Sequence, residues 1–200
     1  PTAAALFEER YGIAVNLVSG GDSGQVLQKA IIEKSNPKAD IIIGIDDNLL
    51  YRALKEDILI PYCSPALSQV PPQLLFDESC HVTPYDYSYF AVVFDTYSSL
   101  PKPESLEDLT DEVYRSSLIL MDPRTSSPGL GFLHWTVSRY GEGYLDYWRR
   151  LKPSLLTVTD GWDTGYGLFT SGEAPMVLSY TTSPPYPVEY EDTDRYEALI

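Results

Sequence analysis

The chain has 200 residues, enough to bury one sizeable core or two small ones, and carries 29 acidic against 14 basic residues for a net charge of −15. Binding to a phosphate backbone needs clustered lysine and arginine, so this balance argues against a nucleic-acid partner, and the acidic charge is spread as a solvated surface without a tail-like block. No apolar run is long enough to cross a bilayer, and Pro1-Thr2 carries no signal-peptide pattern, so an export signal is expected to lie outside this sequence or to have been removed.

The first element, Ala3-Ala4-Ala5-Leu6-Phe7-Glu8-Glu9-Arg10-Tyr11-Gly12, reads as a helix closed by glycine. Ile13 to Val18 reads as a short strand, and Ser19-Gly20-Gly21-Asp22 as a turn. A second helix is predicted from about Ser23 to Ser35, with Val26, Leu27, Ala30 and Ile31 on one face and Asp22 and Gln25 spaced as a capping box. Asp40 to Ile45 is a nearly continuous apolar run, the pattern of a strand buried on both faces of a parallel sheet. Asp46 is placed to cap a third helix carrying Leu49, Leu50, Ala53 and Leu54, and Ile58 to Pro61 reads as another short strand. This alternation predicts α/β layering with right-handed crossovers.

Ser64 to Leu75 is proline-rich and lacks a clear period. His81 to Asp95 holds two extended segments, and a short helix is predicted around Ser105 to Leu109. Leu118 to Met121 reads as a buried strand, Pro128 to Tyr140 and Tyr144 to Leu151 as helices, and Leu155 to Val158 as a strand. A helix from Trp162 to Ser171 and a strand from Pro175 to Tyr180 follow. The tail, Pro184 to Ile200, is acidic and contains proline, with little periodicity and no predicted element. Cys63 and Cys80 are either a disulfide, which contributes roughly 3 kcal/mol by closing a short loop, or two buried thiols. His81 and His134 belong to no metal-ligand cluster and are expected to be structural.

The chemistry concentrates at strand-to-helix turns. In Met121-Asp122-Pro123-Arg124-Thr125-Ser126-Ser127-Pro128-Gly129-Leu130-Gly131 a strand ends, a hydroxyl-rich turn follows, and a helix starts with Ser127 as expected N-cap and Pro128 at the first helical position. Free backbone N–H groups and hydroxyls make such a turn an anion cradle. Gly21-Asp22-Ser23-Gly24 and Asp160-Gly161-Trp162-Asp163 are two more turns of this kind. Ligands of open α/β sheets lie beyond the carboxyl ends of strands, where such turns gather. Sixteen tyrosines and three tryptophans suit a flat organic ligand. No Gly-x-Ser-x-Gly elbow, Walker loop or His-Glu-x-x-His is present, and no base stands beside a nucleophile, so no enzymatic activity is expected.

The DPRTS-PGLG string at 122–131, Val177-Leu178-Ser179-Tyr180-Thr181-Thr182-Ser183-Pro184-Pro185-Tyr186 and Asp160-Gly161-Trp162-Asp163-Thr164-Gly165-Tyr166-Gly167-Leu168-Phe169 together resemble the thiamine-binding subunit of bacterial ABC importers, a branch of the periplasmic-type solute-binding proteins. The likeness extends upstream to Lys38-Ala39-Asp40-Ile41-Ile42-Ile43-Gly44-Ile45-Asp46-Asp47-Asn48-Leu49-Leu50 and Pro84-Tyr85-Asp86-Tyr87-Ser88-Tyr89-Phe90-Ala91-Val92-Val93-Phe94-Asp95. The resemblance implies a two-lobed α/β fold of the periplasmic-binding-protein type 2 kind, here without its first strand and without the later part of lobe one. Residues 1–84 are then lobe one, 85–94 the first crossover, 95–177 lobe two, and 178–200 the second crossover and the return to lobe one.

The same resemblance implies a monomer outside the cytoplasmic membrane, periplasmic or lipid-anchored. It captures thiamine, thiamine phosphate or thiamine pyrophosphate, with no cofactor, for the membrane permease of an ABC transporter. Asp22 and Ser23 match the family's lobe-one loop, Ser126 and Ser127 its phosphate turn with Gly129 beside them, and Trp162, Tyr180 and Tyr186 its aromatic positions. Thr181, Thr182 and Ser183 match the second crossing segment. Arg124 stays outside this set, since its place before the turn also suits an ion pair with Asp122. A binder of the same fold for a polyamine, with Asp22 and Asp163 as carboxylates, or for ferric ion, is the alternative. The separation of Tyr180 from Tyr186 disfavours iron.

Overall fold

Three nearly unbroken apolar runs, 90–95, 118–121 and 176–180, have no polar face to offer solvent and so take the middle of a sheet covered on both sides. In the computed structural model, which describes residues 2–200 and leaves Pro1 outside, they form β1 (Phe90–Asp95), β2 (Leu118–Met121) and β4 (Met176–Tyr180). With β3 (Leu155–Thr159) and β5 (Tyr196–Leu199) they build a five-stranded sheet of order β3–β2–β4–β1–β5. β2 runs parallel to β3 and β4, whereas β1 is antiparallel to β4 and β5, with Phe90 opposite Tyr180 and Val93 opposite Val177. The edge strand β3 alternates between more and less exposed residues, as a strand with one solvated face should.

Helices α4 (Ser127–Tyr140), α5 (Tyr144–Leu151) and α6 (Trp162–Thr170) close the larger core, in which Phe94, Met121, Phe132, Tyr147, Phe169 and Met176 are almost completely buried. The Tyr147 hydroxyl donates to the Leu106 carbonyl at 2.8 Å, and its ring stacks on Tyr140 at 4.4 Å. Two α4 glycines set the depth of packing. A Cβ on Gly129 would lie 2.4 Å from the Met121 carbonyl oxygen, and one on Gly131 would lie 2.0 Å from the Phe90 ring.

Helices α1 (Ala3–Tyr11), α2 (Ser23–Ile32) and α3 (Asp47–Lys55) form as expected. Gly12 takes the left-handed C-cap conformation, Asp22 and Gln25 make the capping box, and the Asp46 carboxylate accepts from Leu49 N–H at 2.9 Å. A second, small core joins Leu27, Leu49 and Ala53 to Ile31, Ile45, Ile58, Leu59 and Leu130 of α4. The three expected strands 13–18, 40–45 and 58–61 are not strands. Leu17, Ile41 and Ile60 are 73%, 79% and 88% exposed, and among the described residues these segments have no ladder partner. An apolar run specifies a face to bury, but a strand exists only through cross-strand pairing.

Other boundaries shift as well. The second helix stops at Ile32, the predicted helix at 105–109 is a 3₁₀ turn at Asp108–Thr110, and only β1 of the two extended segments at 81–95 joins the sheet. The tail, read as having no element, forms α7 (Pro185–Tyr190) and β5. Here tertiary pairing overrides weak local propensity. Arg195, just before β5, donates from Nε and Nη2 to the two Asp95 carboxylate oxygens at 2.8 and 2.6 Å and fixes the strand at the sheet edge. Cys63 and Cys80 are joined in a disulfide that spans two 3₁₀ turns, Pro65–Gln69 and Pro72–Leu74.

The hydrogen bonds from Arg195 hold the Asp95 carboxyl below its ordinary range, against the opposing effect of burial. A carboxyl lowered in the folded state adds stability that is complete above its unfolded pKa and is lost as pH falls through the folded value. Asp95→Asn is therefore expected to cost about 2 kcal/mol at neutral pH, with the gap to the unsubstituted protein closing as pH falls through the lowered Asp95 pKa, below the ordinary carboxylate range, as measured by urea unfolding across pH. Reduction of Cys63–Cys80 is expected to lower the unfolding free energy by about 3 kcal/mol in the same assay.

Candidate ligand-binding site

Because β2 and β3 are parallel neighbours, the turns that follow them lie side by side, and the Thr125 hydroxyl ties them by donating to the Asp160 carbonyl at 2.6 Å. The start of α2 meets both turns. Ser23 Oγ donates to Ser127 Oγ at 2.8 Å. One Asp22 oxygen accepts from Ser23 N–H of its own helix at 2.8 Å, and the other accepts from Trp162 N–H, the first residue of α6, at 2.9 Å. The N-cap residue of α6, Gly161, has no side chain to supply this bond, so Asp22 caps α6 from across the contact. Each capped helix end carries partial positive charge, and a carboxylate between two of them is favoured by both. The approach is possible because residue 24 is glycine: a Cβ there would stand 2.7 Å from the Thr125 carbonyl carbon and oxygen.

The N-cap of α4 is Ser126, and the expectation that Ser127 fills that place is corrected. Ser126 is extended (φ −125°, ψ 135°), Ser127 is already helical, and the fixed φ of Pro128 fits the first turn one position later. Ser126 makes no capping bond with its side chain. Its hydroxyl is buried and, among the described residues, has no hydrogen-bond partner. A buried hydroxyl left unpaired costs about 1–3 kcal/mol, so its position at the head of a helix with free N–H groups is one where an added acceptor is stabilising.

Beside this polar contact stands an aromatic group. The Trp162 ring stacks on Tyr166 at 4.7 Å and faces Tyr180 at 6.3 Å, and Tyr180 packs on Phe90 at 5.4 Å. Burial pushes the Tyr180 phenol pKa up, and the carboxylates of Asp22, Asp46 and Asp86 push it further in the same direction. The phenol therefore stays protonated at neutral pH, in a negative potential that suits a cation. Thr181 and Thr182 are exposed in the turn after β4. The Ser88 hydroxyl reaches both, and Thr181 N–H donates to the Tyr89 carbonyl at 2.9 Å. Ser183 turns inward, 2.7 Å from Ser179 Oγ.

Of the expected site residues, Tyr186 stands apart from this group, while Gly129 lies in the first turn of α4 with its Cα turned toward β2. Tyr186 is 60% exposed on α7 and packs on Tyr190 at 4.7 Å, because the unpredicted helix turns it outward. Gly129 faces the Met121 backbone, where it permits close packing of α4 on β2. Arg124 is exposed and engages the Asp122 carboxylate. His81 and His134 pair with Ser79 and Asn48. A groove of about 320 Å³ lies beside α2, lined by Gly24, Gln28, Ile32, Arg124 and Thr125, but neither Trp162 nor Tyr180 lines it. Ser179 was missed. The only sequence signal for it was a hydroxyl inside an apolar strand run, where a buried polar group needs a partner.

An α/β sheet with helix N-termini and aromatic rings gathered where parallel strands end is the build of a small-molecule binding protein. The profile of the bacterial extracellular solute-binding protein family matches residues 36–187, and the chain belongs to that family. Over 199 residues it is 42% identical to the thiamine-binding periplasmic protein of Brucella abortus, covering 100% of this chain and 59% of that protein. With the thiamine-binding periplasmic protein of Escherichia coli K12 the identity is 37% over 198 residues, 99% of this chain and 60% of that protein. A solved structure of a periplasmic thiamin binding protein superposes with a TM-score of 0.89 at 37% identity, covering 98% of this chain and 61% of that one. The chain thus spans about three-fifths of the length of these relatives.

Gly24→Ala is expected to separate the start of α2 from the 125–127 turn and break the Ser23–Ser127 and Asp22–Trp162 bonds. Amide hydrogen exchange of Trp162 N–H, accelerated at least about tenfold, is the measurement. Unchanged protection would mean that the two segments do not depend on the close approach.

Proposed function

We propose that this chain is part of an extracytoplasmic, periplasmic solute-binding protein that captures thiamine or its phosphate esters and hands them to the permease of an ABC transporter, without chemical turnover. The observation that carries this reading is the buried, unpartnered Ser126 hydroxyl at the head of α4, next in sequence to Ser127, which Ser23 links to the Asp22–Trp162 contact and so to Tyr180. Thiamine is a cation with two flat rings, and its esters add an anionic tail. An indole or phenol face stabilises a cation by about 0.5–2 kcal/mol, and each helix N-terminus contributes about 0.3–1 kcal/mol to a bound anion. The polarity of the contact supports this division, with hydroxyls and N–H groups on the 125–127 side and rings with nearby carboxylates on the Tyr180 side. The names of the relatives agree with it.

In this reading residues 1–84 and 95–177 belong to two lobes, with 85–94 and 178–200 crossing between them. Ligand contacts made only when Asp22 and Ser23 approach the Ser127 and Trp162 turns drive closure. Isothermal titration calorimetry of the full-length protein with thiamine, thiamine phosphate, thiamine pyrophosphate and spermidine is the test. Saturable heat is expected with the three thiamine compounds and none with spermidine. Silence with all three thiamine forms rejects the proposal, and heat with spermidine alone moves the assignment to polyamines.

A further inference from the structure

The hydroxyls beside the Trp162 indole N–H form a chain whose first link has a direction fixed by chemistry and whose second is set by burial. An indole N–H only donates, so Trp162 Nε1 gives its proton to Ser179 Oγ at 2.7 Å. Ser179, fully buried in β4, has one proton of its own, and the oxygen within reach is Ser183 Oγ at 2.7 Å. Ser183 Oγ also lies 3.4 Å from the Tyr180 N–H, which can only donate. Both lone-pair positions of Ser183 are then engaged, and its own proton has no acceptor among the described residues. In the reverse order Ser179 would accept from both the indole and Ser183, and its own proton would stand without an acceptor at a fully buried position, whereas Ser183 keeps residual exposure, so the order running from the indole to Ser183 is favoured.

We propose that Ser179 is a positioning residue of the site: it holds the Trp162 ring in place and, by the direction it imposes, makes Ser183 a committed hydrogen-bond donor to bound ligand. This rests on the thiamine reading above. Ser183 is tied to the indole and to Tyr180, not to the 125–127 turn, so its acceptor belongs to the ring portion of the ligand, a heteroaromatic nitrogen, and not to the phosphate tail. An analogue presenting a donor at that atom meets a second donor and is refused. Ser179 is not legible from binding contacts, because it acts through Trp162 and Ser183 and not on the ligand itself.

The indole ¹⁵N–¹H resonances of the three tryptophans, with that of Trp162 identified by Trp162→Phe, report the relay directly. In Ser179→Ala, exchange of the Trp162 indole proton is expected to rise at least about tenfold and thiamine affinity to fall about tenfold. In Ser183→Ala the indole proton stays protected, since Ser179 still accepts it, while affinity for thiamine and for thiamine phosphate falls by the same factor, about tenfold. An unchanged indole proton in Ser179→Ala, unchanged thiamine affinity in Ser183→Ala, or a loss confined to the phosphate esters overturns the proposal. Failure of the unsubstituted protein to bind any thiamine form overturns the functional reading and the donor role with it, and the indole exchange still decides whether Ser179 holds Trp162.

Discussion

One carboxylate joins the parts of this molecule that matter for binding. Asp22 caps the start of its own helix and the start of another that is distant in sequence, accepting from Ser23 N–H and Trp162 N–H with its two oxygens. Everything at the site follows from that bridge. It brings Ser23 to Ser127, it sets the backbone from which the Trp162 ring projects, and it supplies negative charge near Tyr180. The bridge in turn requires Gly24, whose missing side chain lets two backbones meet. A charge held between two helix ends is stabilised without a counter-ion, which is why the contact contains no lysine or arginine among its direct partners.

Polar and apolar parts of the site are built by different rules. The polar part uses backbone groups left over at helix starts, so its identity depends on where a helix begins. A shift of one residue, from Ser127 to Ser126 as N-cap, changes which hydroxyl is buried without a partner. The aromatic part uses side chains anchored from behind, with Tyr166 and Phe90 as supports and Ser179 as the fixing point for the indole.

Much of this was legible in the sequence, and the failures have a common cause. The capping residues Asp22 and Asp46, the glycine stop at Gly12, and the central strands 118–121 and 176–180 were readable because their signals are local. The segments 13–18, 40–45 and 58–61 read as strands because apolar runs look alike whether or not a partner exists. The tail was unreadable for the opposite reason. Tyr196–Leu199 becomes a strand through pairing with β1 and the Arg195–Asp95 ion pair, neither of which has a local signature. Family likeness brought Ser126, Ser127, Trp162 and Tyr180 to attention. It also pointed to Tyr186, which lies on an outer helix face, and to Gly129, which packs its Cα against β2 at the head of α4. Ser179 was invisible because its role is exerted through another residue.

The covalent link between Cys63 and Cys80 encloses the proline-rich stretch that holds two short 3₁₀ turns. A peptide bond severed anywhere inside that ring leaves both new chain ends attached to the same molecule. The stretch is therefore the one place among the described residues where a proteolytic nick does not divide the polypeptide, and a nicked protein would run intact on a gel until a thiol is added.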